Sequence, residues 1–492
     1  MDRYHWRPRD QFVNRDADLA TLEAWWEHST RDAMALVGRR RVGKSWLLRR
    51  FADGKPAVIL VADRRLLSTQ MARFAEALAP ALGVRPDVSG LSELITLLYQ
   101  LGSEHKVLAV IDEFPLLVPD GRARDESLTE IQAVMEEHRD ASQTKLMLCG
   151  SFVGQMEALF ASRGPLHGRL RRLDIWPLTF AESKTMMSAS DTPAERIARY
   201  AIAGGMARYL GELGHGPLRE VVCANVLERR GPLFDDPRAV LEQELRSPAT
   251  YFSVLEVLAA GPTSTERLAN ALQLKSTSLT FYLDTLRQMR LLSRSAPLGA
   301  PNGARTHKYR VGDGFIRFWF RFVFGNQEGL QEGLSPQDLW DSDIEPHLAG
   351  FIAPTFEELC VRYTRRVHGA DAPKVGSWWG LSLNKHRQSR ERLTEEIDVV
   401  GAQRRSLKVA GECKWTSTPM PKAVLDDLRT HKLPAIQQEG RLRIPASGPR
   451  ILLFSRSGFS PELIRSAEAD DALTLVDLDS LVTALDREAP RP

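Results

Sequence analysis

The chain has 492 residues, enough for about three domains at roughly 100 to 200 residues each, which excludes a small disulfide-stapled scaffold. Hydrophobic residues at 43% and charged residues at 26% exclude wholesale disorder and fibrous repeats. With 66 basic and 63 acidic side chains the formal charge is only +3, too little to attract nucleic acid in bulk, so any such contact must be local.

The N-terminal Met1-Asp2-Arg3-Tyr4-His5-Trp6 lacks an apolar signal core. No apolar run approaches the roughly 18 residues that span a bilayer, so a cytoplasmic protein with no membrane contact is expected. Cys149, Cys223, Cys360 and Cys413 have no close paired spacing, which suits reduced core thiols.

From Ala33 to Trp176 short apolar runs alternate with helical patterns, as in an α/β unit on a parallel sheet. Strands are predicted at Ala33 to Val37, Ala57 to Ala62, Lys106 to Ile111, Lys145 to Leu148 and Leu173 to Trp176. Directly after the first, Gly38-Arg39-Arg40-Arg41-Val42-Gly43-Lys44-Ser45 satisfies the eight-position P-loop pattern. Gly38 and Gly43 let successive N–H groups, Arg41 included, turn toward phosphates; Lys44 supplies charge, and Ser45 offers its hydroxyl to Mg²⁺. The third strand runs into Asp112, placed to hold Mg²⁺ through water, and Glu113, placed to polarise the attacking water. Ser151, after the fourth strand, is either a γ-phosphate sensor or part of a strand-ending turn. Arg169 follows a rigid turn and is either a phosphate contact, in cis or across a subunit boundary, or a surface side chain. Pro177 stops the last strand, and Phe180 to Leu245 reads as helices, a lid over the core.

Next come three compact helices: Tyr251 to Ala260, broken by Gly261-Pro262; Thr265 to Leu272, capped by Ser264; and a third through Met289, capped by Ser276. Leu291 to Ser293 and His307 to Val311, joined by Pro297-Leu298-Gly299-Ala300-Pro301-Asn302-Gly303, complete a winged-helix pattern. Lys275, Ser276, Thr277, Ser278, Thr280, Arg287 and Arg290, with Arg294, Arg305 and Lys308 on the wing, would reach DNA; protein docking is the other use of this pattern. Phe315, Phe318, Trp319, Phe320, Phe322 and Phe324 are expected in a buried helix.

In the last segment, alternation places Asp398 on one strand and Glu412 and Lys414 on one face of a later strand. Two carboxylates holding Mg²⁺ or Mn²⁺ beside a lysine suit phosphodiester hydrolysis; an ordinary strand-edge ion pair is the simpler account. Arg362, Arg365, Arg366, Lys374, Lys385, Arg387, Arg390 and Arg392 form a local basic surplus, which suits either a phosphate backbone or a solvated face.

Phe12-Val13-Asn14-Arg15, the triple-arginine P-loop, Ile111-Asp112-Glu113-Phe114, Cys149-Gly150-Ser151 and Pro165-Leu166-His167-Gly168-Arg169 resemble the AAA+/STAND-like archaeal-type ATPase family, which also occurs in bacteria. The resemblance implies ATP rather than GTP, a helical lid and a winged helix. Gly204-Gly205-Met206-Ala207-Arg208-Tyr209 resembles the family's lid motif, with Ala207 where proline is usual. Asp398 followed by Glu412-Cys413-Lys414 resembles the PD-(D/E)xK restriction-endonuclease-like fold, to which Glu358, with Glu357 competing, would add an acid from the first helix. Together these imply an α/β multidomain chain: a P-loop AAA+-like parallel sheet (1–176), a helical lid (177–245), a winged helix (246–326) and a restriction-endonuclease-like α/β domain (327–492). The expected partners are ATP, Mg²⁺, DNA and, through the ATPase domain, further copies of the chain.

Overall fold

The computed structural model describes residues 14–28, 32–159, 164–245, 247–261, 263–301, 306–383 and 394–487. Phe12, Val13, Pro262, Asn302, Gly303, Arg305, Lys385, Arg387, Arg390 and Arg392 lie outside the described residues.

The first sheet has strands β1 (Ala33–Val37), β2 (Ala57–Val61), β3 (Val107–Asp112), β4 (Thr144–Gly150) and β5 (Leu170–Asp174). All are parallel, in the order β2-β3-β4-β1-β5. Helices cover both faces, so the central strands are apolar on both sides. Along β1, Met34 and Leu36 pack into one core while Ala33, Ala35 and Val37 pack into the other. The last strand lies earlier than the expected Leu173 to Trp176. As the sheet's edge, β5 carries exposed Arg171 and Arg172, and these charges hide its apolar alternation in the sequence.

Residues 180–244 carry a series of short helices joined by turns, ending in the helix Asp236–Glu244. Helices Ala249–Ala259, Thr265–Leu272 and Ser276–Gln288 follow, then an antiparallel ribbon of β6 (Leu292–Ser295) and β7 (Lys308–Val311). Ser264 caps the second of these helices, accepting from Arg267 N. Ser276 does not cap the third: Lys275 holds the N-cap position, without a side-chain hydrogen bond, and Ser276 is already inside the helix. Of the expected aromatic run, Phe315, Phe318, Trp319, Phe320 and Phe322 are buried, while Phe324 is half-buried, and the stretch is a short α-helix continued by wider and tighter turns rather than one helix.

The second sheet contains β8 (Lys374–Leu381), β9 (Thr394–Gln403), β10 (Ser406–Lys414), β11 (Arg450–Ser455) and β12 (Leu473–Val476), ordered β12-β11-β10-β9-β8. β8, β9 and β10 are antiparallel neighbours, and β10, β11 and β12 are parallel. The 24-residue helix Glu345–His368 joins this sheet to the rest. It packs on β9, on the helix Pro193–Ala203 and on the terminal helix Leu478–Asp486. Arg196 makes a bidentate pair with Asp486 at 2.9 and 3.0 Å across that junction. One apolar core runs from Leu36 beneath the first sheet through Phe318 to Phe454 beneath the second, so the two sheets share buried surface. All four cysteines are buried and free. No described helix is long and apolar enough to cross a membrane.

Candidate functional sites

The P-loop follows β1 and enters the helix Lys44–Ala52. A Cβ at Gly38 would lie 2.7 Å from the Ile175 carbonyl oxygen, so only glycine fits beside β5. Gly43 and Arg41 take left-handed φ angles of 101° and 70°, which turn the loop back on itself. Lys44 is buried, and its Nζ donates to Gly38 O (2.6 Å), Arg39 O (3.2 Å) and Ser151 Oγ (2.8 Å). Burial pulls the Lys44 pKa down, against the opposing charges of Glu113 and Asp112. Ser45 is exposed at the start of the helix.

Asp112 closes β3 and accepts from Glu113 N at 3.0 Å; burial first, and the Glu113 charge second, raise its pKa. Glu113 has φ 56° and is held by Ser151, which donates from N (3.1 Å) and Oγ (2.5 Å). Lys44, Ser151 and Glu113 thus form one hydrogen-bonded chain that spans the ends of β1, β3 and β4. Glycine-lined backbone, a buried ammonium, an exposed hydroxyl and two acids are a donor set that fits a nucleotide phosphate chain with Mg²⁺.

The three P-loop arginines reach other elements. Arg39 pairs with Asp313 at 2.7 Å, Arg41 with Asp236 at 2.6 Å, and Arg40 with Glu244 at 3.6 Å. None of these acids carries a local sequence signal, because each is brought in by a distant segment. Arg169 is not brought to the loop: it pairs with Glu136 at 2.6 Å on the outer face of the helix Arg122–His138. Arg208 pairs with Glu212, while its backbone N donates to Arg41 O at 3.1 Å, closing the helical segment onto the loop.

At the second sheet Asp398, Glu412 and Lys414 converge. Asp398 accepts from Cys413 N at 2.8 Å, and Lys414 Nζ stands 3.6 Å from Glu412 Oε2. Lys432, in the helical turn Leu428–Lys432, is nearer still, donating to the same oxygen at 2.7 Å. Glu412 Oε1 is buried with no hydrogen-bond partner, an orphan acceptor that fits a cation between the two carboxylates. Among the described residues, no three His, Cys, Asp or Glu side chains group as metal ligands. Burial raises the Asp398 pKa.

The structure sends the two acids of the long helix to different places. Glu358 pairs with Arg310. Burial, then the charges of Asp398 and Glu396, push the Glu357 pKa up, so Glu357 is the helix acid that feels the Asp398 site. A period of 3.6 puts Glu357 on the stripe of buried Cys360 and Thr364, a signal available in the sequence.

Burial first and the Asp398 charge second hold the Glu412 carboxyl at about 7, against Lys432 and Lys414. The folded chain keeps a proton there that the unfolded chain loses nearer 4.5, so this contribution to stability falls as pH rises through about 7. The interval corresponds to about 3 kcal/mol. Relative to Glu412→Gln, the wild-type protein is therefore expected to lose about that much unfolding free energy between roughly pH 4 and roughly pH 8. Parallel denaturation profiles would show Glu412 ionised throughout.

A five-stranded parallel sheet in the order β2-β3-β4-β1-β5, with a glycine loop after β1 and paired acids after β3, defines a P-loop nucleotide-binding protein. Residues 12–213 match the family described as an ATPase domain predominantly from Archaea, and residues 319–425 match DUF234, archaeal and bacterial proteins of unknown function. The chain thus resembles an archaeal-type ATPase domain over its first sheet and helical segment, and a DUF234 protein over a later stretch. An uncharacterized protein of Methanocaldococcus jannaschii is 24% identical over 413 residues, spanning 82% of this chain and 87% of its own. An uncharacterized ATP-binding protein of the same organism is 43% identical over 44 residues, spanning 9% of this chain and 75% of its own. The solved Walker-type ATPase of Pyrococcus abyssi aligns at a TM-score of 0.47 and 20% identity, spanning 64% of this chain and 99% of its own.

Proposed function

We propose that this protein is a cytoplasmic ATPase whose nucleotide state controls a metal-dependent DNA-cleaving site on the second sheet. The observation that carries the proposal is the meeting of Asp398, Glu412 and Lys414 on the neighbouring inner strands β9 and β10, on the same chain as an intact P-loop. In the ATPase site, the backbone from Gly38 to Ser45 cradles phosphates, Lys44 neutralises them, and Ser45 and Asp112 hold Mg²⁺. Glu113 polarises the attacking water, and Ser151 keeps its carboxylate in place. The exposed Arg169 is available to a neighbouring copy in a homo-oligomer.

In the second site Asp398 and Glu412 would hold Mg²⁺ or Mn²⁺, which when bound supplies positive charge to a phosphodiester and acidifies water. Lys414 orients the nucleophile or offsets developing charge, Lys432 anchors Glu412, and Glu357 rather than Glu358 supplies the helix acid. The three helices and ribbon at 249–311 are read as a winged helix. Its exposed residues from Lys275 to Thr280 are left to meet DNA, since Arg287 pairs with Asp284, Arg290 with Asp174 and Lys308 with Glu396, while Arg294 sits at the rim of a cavity. DNA affinity in this reading falls steeply with salt.

The test is cleavage of duplex, single-stranded and branched DNA by wild type and Asp398→Ala with Mg²⁺ or Mn²⁺. Cutting that disappears in the variant supports the nuclease. Intact DNA throughout, beside measurable ATP hydrolysis, supports instead an ATP-switched regulator or scaffold. The ties from Arg39, Arg40 and Arg41 to other segments favour that second reading, because they suit a switch with no cutting step.

A further inference from the structure

Between the first sheet, the helical segment behind it, the three-helix group and the long helix Glu345–His368 lies a cavity of about 820 Å³. That volume is in the range of small-molecule sites, which favour domain junctions. Of the P-loop only Arg39 reaches its wall, so the cavity is separate from the phosphate cradle at Lys44 and Ser45. Every acid on the wall is already paired: Glu157 with Arg172, Asp284 with Arg287, Asp313 with Arg39, and Glu358 with Arg310. Two arginines are left over. Arg294, on β6 at the rim, and Arg362, half-buried, have no side-chain hydrogen bond or ion pair among the described residues.

A third arginine is half committed. Arg290 pairs with Asp174, stands 3.9 Å from Glu157, and lies 3.9 Å over the ring of Trp176, yet its buried Nη1 has no hydrogen-bond partner. Its left-handed backbone, φ 57°, closes the helix Ser276–Gln288, with Leu291 N donating to Leu286 O, and this turn fixes where the side chain leaves the helix. An unpartnered buried guanidinium N–H calls for an acceptor from outside the chain. Thr355, Glu358 and Arg362, spaced three and four apart, place one face of the long helix on the cavity, while Glu357 on the neighbouring stripe faces Asp398.

We propose that this cavity binds a phosphate monoester of nucleotide size, held by Arg290, Arg294 and Arg362. A phosphate monoester carries close to two negative charges at neutral pH, which matches the two unpaired guanidinium groups. Guanidinium forks suit its oxygens, and the partly exposed Trp176 lends an apolar wall to the organic part. Because its walls come from the ATPase sheet, the three-helix group and the helix that carries Glu357, the ligand binds only this arrangement of the domains and stabilises it. The proposal does not depend on cleavage at Asp398.

Isothermal titration of the full chain carrying Lys44→Ala, with adenosine 5′-monophosphate and with inorganic phosphate, tests the site with the P-loop disabled. At least one probe is expected to bind with one-to-one saturation. Arg294→Gln with Arg362→Gln should weaken it at least tenfold, and the paired lysine substitutions should restore part of the affinity. Since neither arginine has a partner among the described residues, the thermal midpoint should stay unchanged. Absence of binding by both probes, or equal affinity in the glutamine variant, would overturn the assignment.

Discussion

Lys44→Ala is expected to abolish nucleotide binding, with affinity lower by on the order of 100-fold or more, about 2.7 kcal/mol. The buried ammonium now satisfies two P-loop carbonyls and Ser151 Oγ, and it is the positive charge that the loop encloses. Alanine leaves those oxygens unpaired and removes the charge opposite incoming phosphates. Glu113→Gln should behave differently. Its amide can still meet Ser151, so binding survives, but it cannot accept a proton from water, and turnover should fall on the order of 100-fold. Binding and hydrolysis measured together on both variants check the assignment; unchanged turnover in both would refute it.

Lys432→Ala should strongly destabilise the packing on the second sheet. Glu412 is 1% exposed, and Lys432 is its closest cation, with Lys414 nearly 1 Å farther away. Removing one partner from a buried ion pair strands the other charge and typically costs about 3 to 5 kcal/mol. The substitution should also raise the Glu412 pKa beyond about 7, since the Lys432 charge now opposes burial. Denaturant unfolding at pH 8 measures the loss, and the penalty should shrink in mildly acidic buffer where Glu412 is neutral. A change below about 1 kcal/mol at pH 8 would mean that Lys432 does not compensate a buried charge.

The P-loop and its acids were legible because their chemistry is local: Gly38 to Ser45 is one loop, and Asp112-Glu113 ends one strand. Asp398, Glu412 and Lys414 were legible because strand alternation and one hairpin bring them together. Lys432 was not, since a lysine in a surface-facing helical turn gains its role only when that turn folds over β10. The partners of the P-loop arginines, Asp313, Asp236 and Glu244, escaped for the same reason: each lies roughly 200 or more residues away. The charged edge strand β5 hid its own boundary. Arg287, Arg290, Arg294 and Arg362 looked like outward-facing cations, and only the packing of four segments reveals that they border a common cavity.

DNA cleavage by wild type, Lys44→Ala and Asp398→Ala, each with and without ATP, measures whether nucleotide state controls the second sheet. The expected results are a wild-type rate that changes with ATP, a Lys44→Ala rate indifferent to ATP, and no cleavage by Asp398→Ala. Cleavage that is identical in all three proteins and unaffected by ATP would contradict that control.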